Sequence, residues 1–149
     1  MICVIQRVVS SSVTVEGRTV GSAGKGLNIL LGVKKGDTEE MAEKLCEKIC
    51  RMRIFEDAGG RMNLSLEDVG GSVLVISQFT LLANTSKGRR PSFEHAEEPG
   101  RARELYEHFV REFGRRGVPA QTGEFGADML VKIENDGPVT FVLTDADRR

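Results

Sequence analysis

The sequence predicts an α+β fold with mainly antiparallel strands and two helices, on three observations. Apolar and polar residues alternate through the first third of the chain. Two stretches, near residues 38–51 and 99–117, repeat apolar residues at helical spacing instead. The strand-like runs gather before, between and after these stretches without a regular strand–helix rhythm, which argues against a βαβ repeat. At 149 residues and 40% hydrophobic content the chain can bury one core, so a single domain over residues 1–149 is expected.

Ile2, Val4 and Val8 are expected to share the apolar face of the first strand, which continues through Val13 and Val15. Glu16-Gly17-Arg18 then turns the chain and Thr19-Val20 returns, giving a hairpin. Ser10-Ser11-Ser12 interrupts the alternation and suits a bulge or bend. After Gly24-Lys25-Gly26, the run from Leu27 to Val33 reads as a mostly buried strand. Asp37 followed by Glu40 has the form of a capping box, and Met41, Leu45, Ile49 and Met52 recur helically, so a helix over 38–51 with Asp37 as its N-cap is predicted. Ile54-Phe55 begins a short strand, Asp57-Ala58-Gly59-Gly60 turns, and Val73 to Ile76 is a β-branched core strand. Pro99 opens the second helix, Ala102, Leu105, Tyr106, Phe109 and Phe113 line one side of it, and Gly114 or Gly117 closes it. Phe125 to Ile133 and Val139 to Leu143 return to strand composition.

Several function classes fall away on composition. The apolar runs Leu27 to Val33 and Val73 to Ile76 are far shorter than the roughly 20 residues that span a bilayer. Met1 to Val9 reads as structure rather than a removable signal, and a cytoplasmic location is expected. Cys3, Cys46 and Cys50 are odd in number and read as buried free thiols. His95 and His108 have no partner at metal spacing, and the glycine-rich turn from Gly21 to Gly26 carries no Lys-Ser/Thr and opens no helix. Neither a metal nor a cofactor is expected. A net charge of −1 excludes bulk-charge coating of nucleic acid. Lys87, Arg89 and Arg90 nevertheless cluster in an exposed loop, Ser86 to Pro91, which is either a solvated surface or a grip for phosphates.

Two polar islands interrupt the apolar runs: Ser77-Gln78-Phe79-Thr80-Leu81 and Asn135-Asp136-Gly137-Pro138-Val139-Thr140. Each sets hydroxyls, an amide or free backbone groups at the end of a buried strand, where small pockets are built. A hydroxyl of ordinary pKa attacks an ester only with a base beside it, and neither histidine is near Ser77 or Thr80 in sequence. Ser77, Gln78 and Thr80 therefore read first as groups that satisfy a strand end or aim donors at a ligand oxygen, with direct attack by Thr80 or Ser77 as the alternative. Gly137-Pro138 reads as a turn tip that presents two carbonyl acceptors and a rigid surface. Composition alone gives a trans bond there.

In this order and at these distances, the two islands resemble the signature motifs of the D-aminoacyl-tRNA deacylases. The likeness extends over nearly the whole chain, through Val4-Ile5-Gln6-Arg7-Val8, Leu30-Leu31-Gly32-Val33, Arg53-Ile54-Phe55, Lys87-Gly88-Arg89-Arg90-Pro91-Ser92-Phe93, Thr122-Gly123 and Phe125-Gly126-Ala127-Asp128-Met129. The resemblance implies a homodimer of α+β subunits, each a half-barrel-like core with two helices. It implies hydrolysis of the ester that joins a D-amino acid, or glycine, to the 3′-terminal adenosine of tRNA. Ser77, Gln78, Phe79 and Thr80 would form the catalytic strand end, with the substrate's own 2′-hydroxyl assisting attack. Gly137 and Pro138, held cis, would reject L-amino acids across the dimer interface. Arg7 would brace that turn, Phe125 and Met129 would contact adenine, and Lys87, Arg89 and Arg90 would meet the acceptor end. Leu82 departs from the aromatic common at its position in the family, so no stacking role is carried over to it. A small-ester or amide hydrolase and a non-catalytic RNA-binding dimer stand as the rival readings.

Overall fold

In the computed structural model, which describes residues 1–144, a six-stranded mixed sheet curls into a nearly closed, barrel-like surface with two helices on its outside. Strand β1 (Ile2–Val15) is the spine of the sheet. One of its edges pairs antiparallel with β3 (Gly26–Gly32) along the first half and with β2 (Arg18–Ala23) along the second. Its other edge takes β8 (Leu130–Leu143), also antiparallel. The predicted hairpin around Glu16-Gly17 is present, and Glu16 takes a positive φ of 49° at its tip.

Beyond β3 the pairing changes sense. Strand β6 (Ser72–Ser77) lies parallel to β3, and β7 (Ala120–Thr122) lies parallel to β6. The mainly antiparallel sheet thus carries a parallel flank. Strands β2 and β7 then approach each other: Ser22 N–H donates to Gln121 Oε1 at 2.8 Å. A Cβ on Gly21 would stand 2.2 Å from the carbonyl oxygen of Thr122, so only glycine permits this closure.

Helix α1 (Glu39–Arg51) follows the predicted periodicity but not the predicted cap. Thr38, in extended backbone, accepts from Met41 N–H at 3.3 Å. The Asp37 carboxylate is engaged elsewhere, accepting from Lys34 N–H and from the Met1 ammonium, each at 2.6 Å. Helix α2 (Pro99–Arg115) starts at Pro99 as predicted, and of the two candidate closers it is Gly117, at φ +74°, that ends the helix. Both helices lay their apolar faces on one side of the sheet. Leu45, Ile49, Leu105, Phe109 and Phe113 meet Cys3, Ile5, Leu27, Ile29, Leu31, Val73 and Val75 there.

The opposite, concave side carries a smaller apolar cluster of Val13, Ala23, Leu74 and Ile76, flanked by Leu30, Met129 and Val131. This division corrects the expected face of β1. Cys3 and Ile5 are fully buried against the helices, whereas Ile2 and Val4 look to the concave side and are only half-buried. Val8 is buried because the register shifts around it. The bulge or bend expected at Ser10-Ser11-Ser12 is met only at its first residue: register shifts run from Gln6 to Ser10 on the β8 side and between Val13 and Thr14 on the β2 side.

Three further differences bear on the site. Strand β4 (Phe55–Glu56) pairs with β5 (Met62–Leu64), a strand too short and polar to be predicted. Phe125 to Met129 forms a turn rather than the expected strand, with Gly126 at φ +78°, and β8 begins only at Leu130. The apolar residues that suggested a strand there face a cleft. Finally, Gln6 pairs with Thr140 and Val8 with Asn135, so a single residue of β1, Arg7, stands opposite the four residues Asp136 to Val139.

Candidate active site

The cleft forms where β6 ends on the concave side. Strand β6 delivers Ile76 and Ser77 to its edge, Gln78 N–H is held by the carbonyl of Leu31 at 2.8 Å, and the chain then tightens into a 3₁₀ turn, Phe79–Leu82. Opposite this strand end, the Phe125–Met129 turn, Val131 and the start of α2 complete a space of about 510 Å³. Ser77, Gln78, Phe79, Phe125 and Met129 all line it, so five residues from two sequence-distant predicted groups meet in one place. A second cleft, of about 560 Å³, lies on the far side of Phe125, against α2. Phe125 is therefore a wall between two spaces, backed by the Tyr106 ring at 5.8 Å. Tyr106 is anchored in turn by its hydroxyl, which donates to Val75 O at 2.7 Å, and burial pushes its phenol pKa upward.

Thr80 has no base among its hydrogen-bond partners in the described residues. Its hydroxyl accepts from the Gln78 side-chain amide, and neither Ser77 nor Thr80 is hydrogen-bonded to a histidine among the described residues. His95 lies by Glu94 at 3.7 Å, while His108 is bound to Glu43 at 2.9 Å on the helical side. The first N–H groups of a 3₁₀ turn have no carbonyl within the turn to bond, and among the described residues those of Phe79 and Thr80 donate to no backbone carbonyl outside it. Phe79 itself is 56% exposed.

Gly137 and Pro138 stand apart from this cleft within the same chain. They belong to the four-residue excursion of β8, their peptide bond is cis, and Gly137 has φ +128°. A Cβ there would come within 2.8 Å of Val139 Cγ2, so the position is closed to side chains. Arg7, only 4% exposed, ties the excursion down. Its Nε donates to Asp136 O at 3.2 Å and lies 3.3 Å from the Asp136 carboxylate, while Nη1 donates to Ile54 O at 2.8 Å.

Lys87, Arg89 and Arg90 sit on an exposed loop closed by two hydrogen bonds between Asn84 and Ser92, at 2.8 and 3.0 Å. The loop does not line the cleft. It connects to it through Phe93, whose ring meets Phe79 edge to face at 4.9 Å.

These features describe a strand-end cleft with a soft apolar wall, lined by Ser77, Gln78 and Phe79 but not by Thr80, with no base on either hydroxyl among the described residues. The profile of the family described as D-Tyr-tRNA(Tyr) deacylase matches residues 4–144. The chain belongs to this deacylase family. A D-aminoacyl-tRNA deacylase of Persephonella marina is 61% identical over 143 residues, covering 96% of this chain and 97% of that protein. One of Aquifex aeolicus is 58% identical over the same share of this chain. Among solved structures, one described as c-Myc DNA Unwinding Element Binding Protein superposes with a TM-score of 0.90 at 38% identity, covering 97% of this chain and 99% of its own. A probable eukaryotic D-amino acid tRNA deacylase shares the fold at a TM-score of 0.80 and 19% identity, covering 95% and 97%.

Within this deacylase fold, several residues escape a sequence reading. Glu97, Pro99 and Ala102 reach the cleft because α2 starts beside it, and nothing local announces that. Glu43, His108 and Glu112 converge between the helices, with donor atoms all within 4.8 Å of one another, although α1 and α2 bring them from distant segments. Each is engaged locally: His108 Nε2 bonds Glu43, and Arg115 bonds Glu112. All three cysteines are buried and carry thiols rather than a disulfide among the described residues. No helix among the described residues is long and apolar enough to cross a membrane.

Proposed function

We propose that this protein hydrolyses the ester between a D-amino acid, or glycine, and the 3′-terminal adenosine of tRNA, as a cytoplasmic homodimer that proofreads chirality in translation. The observation that carries the reading is the cleft at the end of β6, built by Ser77, Gln78 and Phe79 against Phe125 and Met129, in a chain of this family.

The absence of a base on Thr80 and Ser77 supports a reaction in which the protein positions and the substrate assists. The free 2′-hydroxyl of the terminal ribose activates water, which adds to the carbonyl carbon. The tetrahedral oxyanion is stabilised by the backbone N–H groups of Phe79 and Thr80. Its collapse expels the ribose 3′-oxygen, which takes up a proton, leaving free amino acid and tRNA. Phe125 and the Met129 thioether offer the adenine an apolar, polarisable wall. Lys87, Arg89 and Arg90 contact the phosphates of the acceptor end without reading sequence.

Selectivity falls to Gly137 and Pro138 of the partner subunit, whose carbonyls face the substrate α-carbon. They leave room for hydrogen but not for an L side chain, while a D side chain points out. Exclusion suits the task, because attraction toward one methyl-sized group discriminates by only about 1–3 kcal/mol. Glycine passes such a filter. The position of this turn away from its own chain's cleft, with Arg7 bracing it, fits action across an interface.

The deciding experiment compares deacylation of D-tyrosyl-, L-tyrosyl- and glycyl-tRNA. Release of D-tyrosine and glycine with L-tyrosine spared is expected. Equal rates for both enantiomers remove the filter from Gly137-Pro138, and salt-sensitive tRNA binding with no release of any amino acid makes the protein an RNA-binding dimer instead.

A further inference from the structure

We infer that Phe93 is a positioning residue for this hydrolysis, holding the Phe79–Leu82 turn in register with the cleft through its ring. The inference rests on the reading that the Phe79 and Thr80 N–H groups receive the oxyanion. That turn is poorly secured by itself. It is four residues long, buries none of them and has no side-chain cap. Short 3₁₀ segments have strained hydrogen-bond geometry and little stability of their own.

Phe93 supplies an external fixture. Its ring contacts Phe79 at 4.9 Å and an interplanar angle of 66°, the edge-to-face arrangement that aromatic pairs favour. The backbone around Phe93 is anchored to the exit of β3 as well as to Asn84, which follows the turn. Ala96 N–H donates to Phe93 O, Lys35 N–H to His95 O and Glu97 N–H to Val33 O, each at 3.0 Å. On the other side, the Asn84–Ser92 pair closes the basic loop. Phe93 therefore joins the exit of β3 to the catalytic turn, and the loop that carries Lys87, Arg89 and Arg90 springs from the same base.

Oxyanion donors act only within a narrow range of distances from the developing charge, so a small shift of Phe79 is felt in the chemical step and not in substrate affinity. Steady-state kinetics on D-tyrosyl-tRNA test this. Phe93→Ala should lower kcat about tenfold while KM and tRNA affinity stay within about twofold. Phe93→Tyr, which keeps the ring, should restore kcat, and Phe93→Leu, which keeps apolar volume without the ring, should fall between. A folded Phe93→Ala with unchanged kcat, a loss confined to KM, or a loss that Phe93→Tyr does not restore overturns the inference. If Phe93→Ala fails to fold, the Leu and Tyr variants decide: reduced kcat in Leu with normal kcat in Tyr supports it, and wild-type kcat in Leu overturns it. A wild-type protein that releases no D-tyrosine overturns the functional reading itself, and this inference with it.

Discussion

Arg7 and Asp136 are joined twice, by a 3.2 Å hydrogen bond to the Asp136 carbonyl and a 3.3 Å approach to its carboxylate, although 129 residues separate them. The same guanidinium holds Ile54 O at 2.8 Å, so the excursion around Gly137-Pro138 is clamped to the segment leaving α1. Arg7→Ala strips several partners from a buried charge site and should cost about 2–4 kcal/mol of stability, read by urea unfolding. It should also lower the D-to-L rate ratio, because the clamp fixes the proposed filter. An unchanged ratio in a folded variant would separate Arg7 from selectivity.

Gly137→Ala tests the turn directly. Its new Cβ would lie 2.8 Å from Val139 Cγ2 and 3.4 Å from Arg7 Nη2, at a φ that L residues rarely adopt. The turn must move, and kcat/KM for D-tyrosyl-tRNA should drop by about 10²-fold, as misplacements near 1 Å do. Activity within twofold of wild type would show that the tip is remote from the reacting ester.

Thr80→Ala should keep most of its turnover, since its hydroxyl is engaged by Gln78 and lacks a base. A substrate ending in 2′-deoxyadenosine should not be turned over at all. Complete loss of activity in a folded Thr80→Ala with normal tRNA affinity would transfer the chemistry to the side chain.

Replacing Lys87, Arg89 and Arg90 together by alanine should leave kcat intact and raise KM. The plot of log affinity against log salt should become shallower by about 2 to 3, corresponding to three phosphate contacts. An unaltered slope would place the RNA elsewhere.

Cys46 should resist thiol reagents in the native protein. A hydrogen bond with Cys50 and burial both push its thiol pKa upward, so a pH near 8.5, which half-ionises an ordinary cysteine, leaves Cys46 protonated. Titration with a chromogenic disulfide should find no fast thiol before denaturation and three after it. A fast native thiol would contradict the burial of this pair.

Sequence reasoning succeeded where the determinant is local. Alternation and Glu16-Gly17 mark the hairpin, helical spacing marks both helices, and the two polar islands mark the strand end and the excursion. It failed where partners are distant. The parallel alignment of β3, β6 and β7 depends on connections through α1 and α2 that leave no trace in the strands themselves. Asp37 and Thr38 both have cap chemistry, and only the folded position of Lys34 and Met1 diverts Asp37. Phe125 and Met129 look like strand residues because they are apolar, but their apolar surface serves the cleft. In the site, Phe93 lies within a recognisable motif, yet its contact with Phe79 emerges only in three dimensions.

The pairing of β1 with β8 imposes an order on biosynthesis. As the nascent polypeptide leaves the ribosome, Ile2–Val15 can satisfy one flank early with β2 and β3, but its other flank stays bare until Leu130–Leu143 has emerged. An unpaired edge of this length invites wrong partners. Translational pausing between β3 and β8, or loss of β8, therefore exposes Ile2–Val15 to aggregation, and chaperone demand should persist until Leu130–Leu143 has emerged.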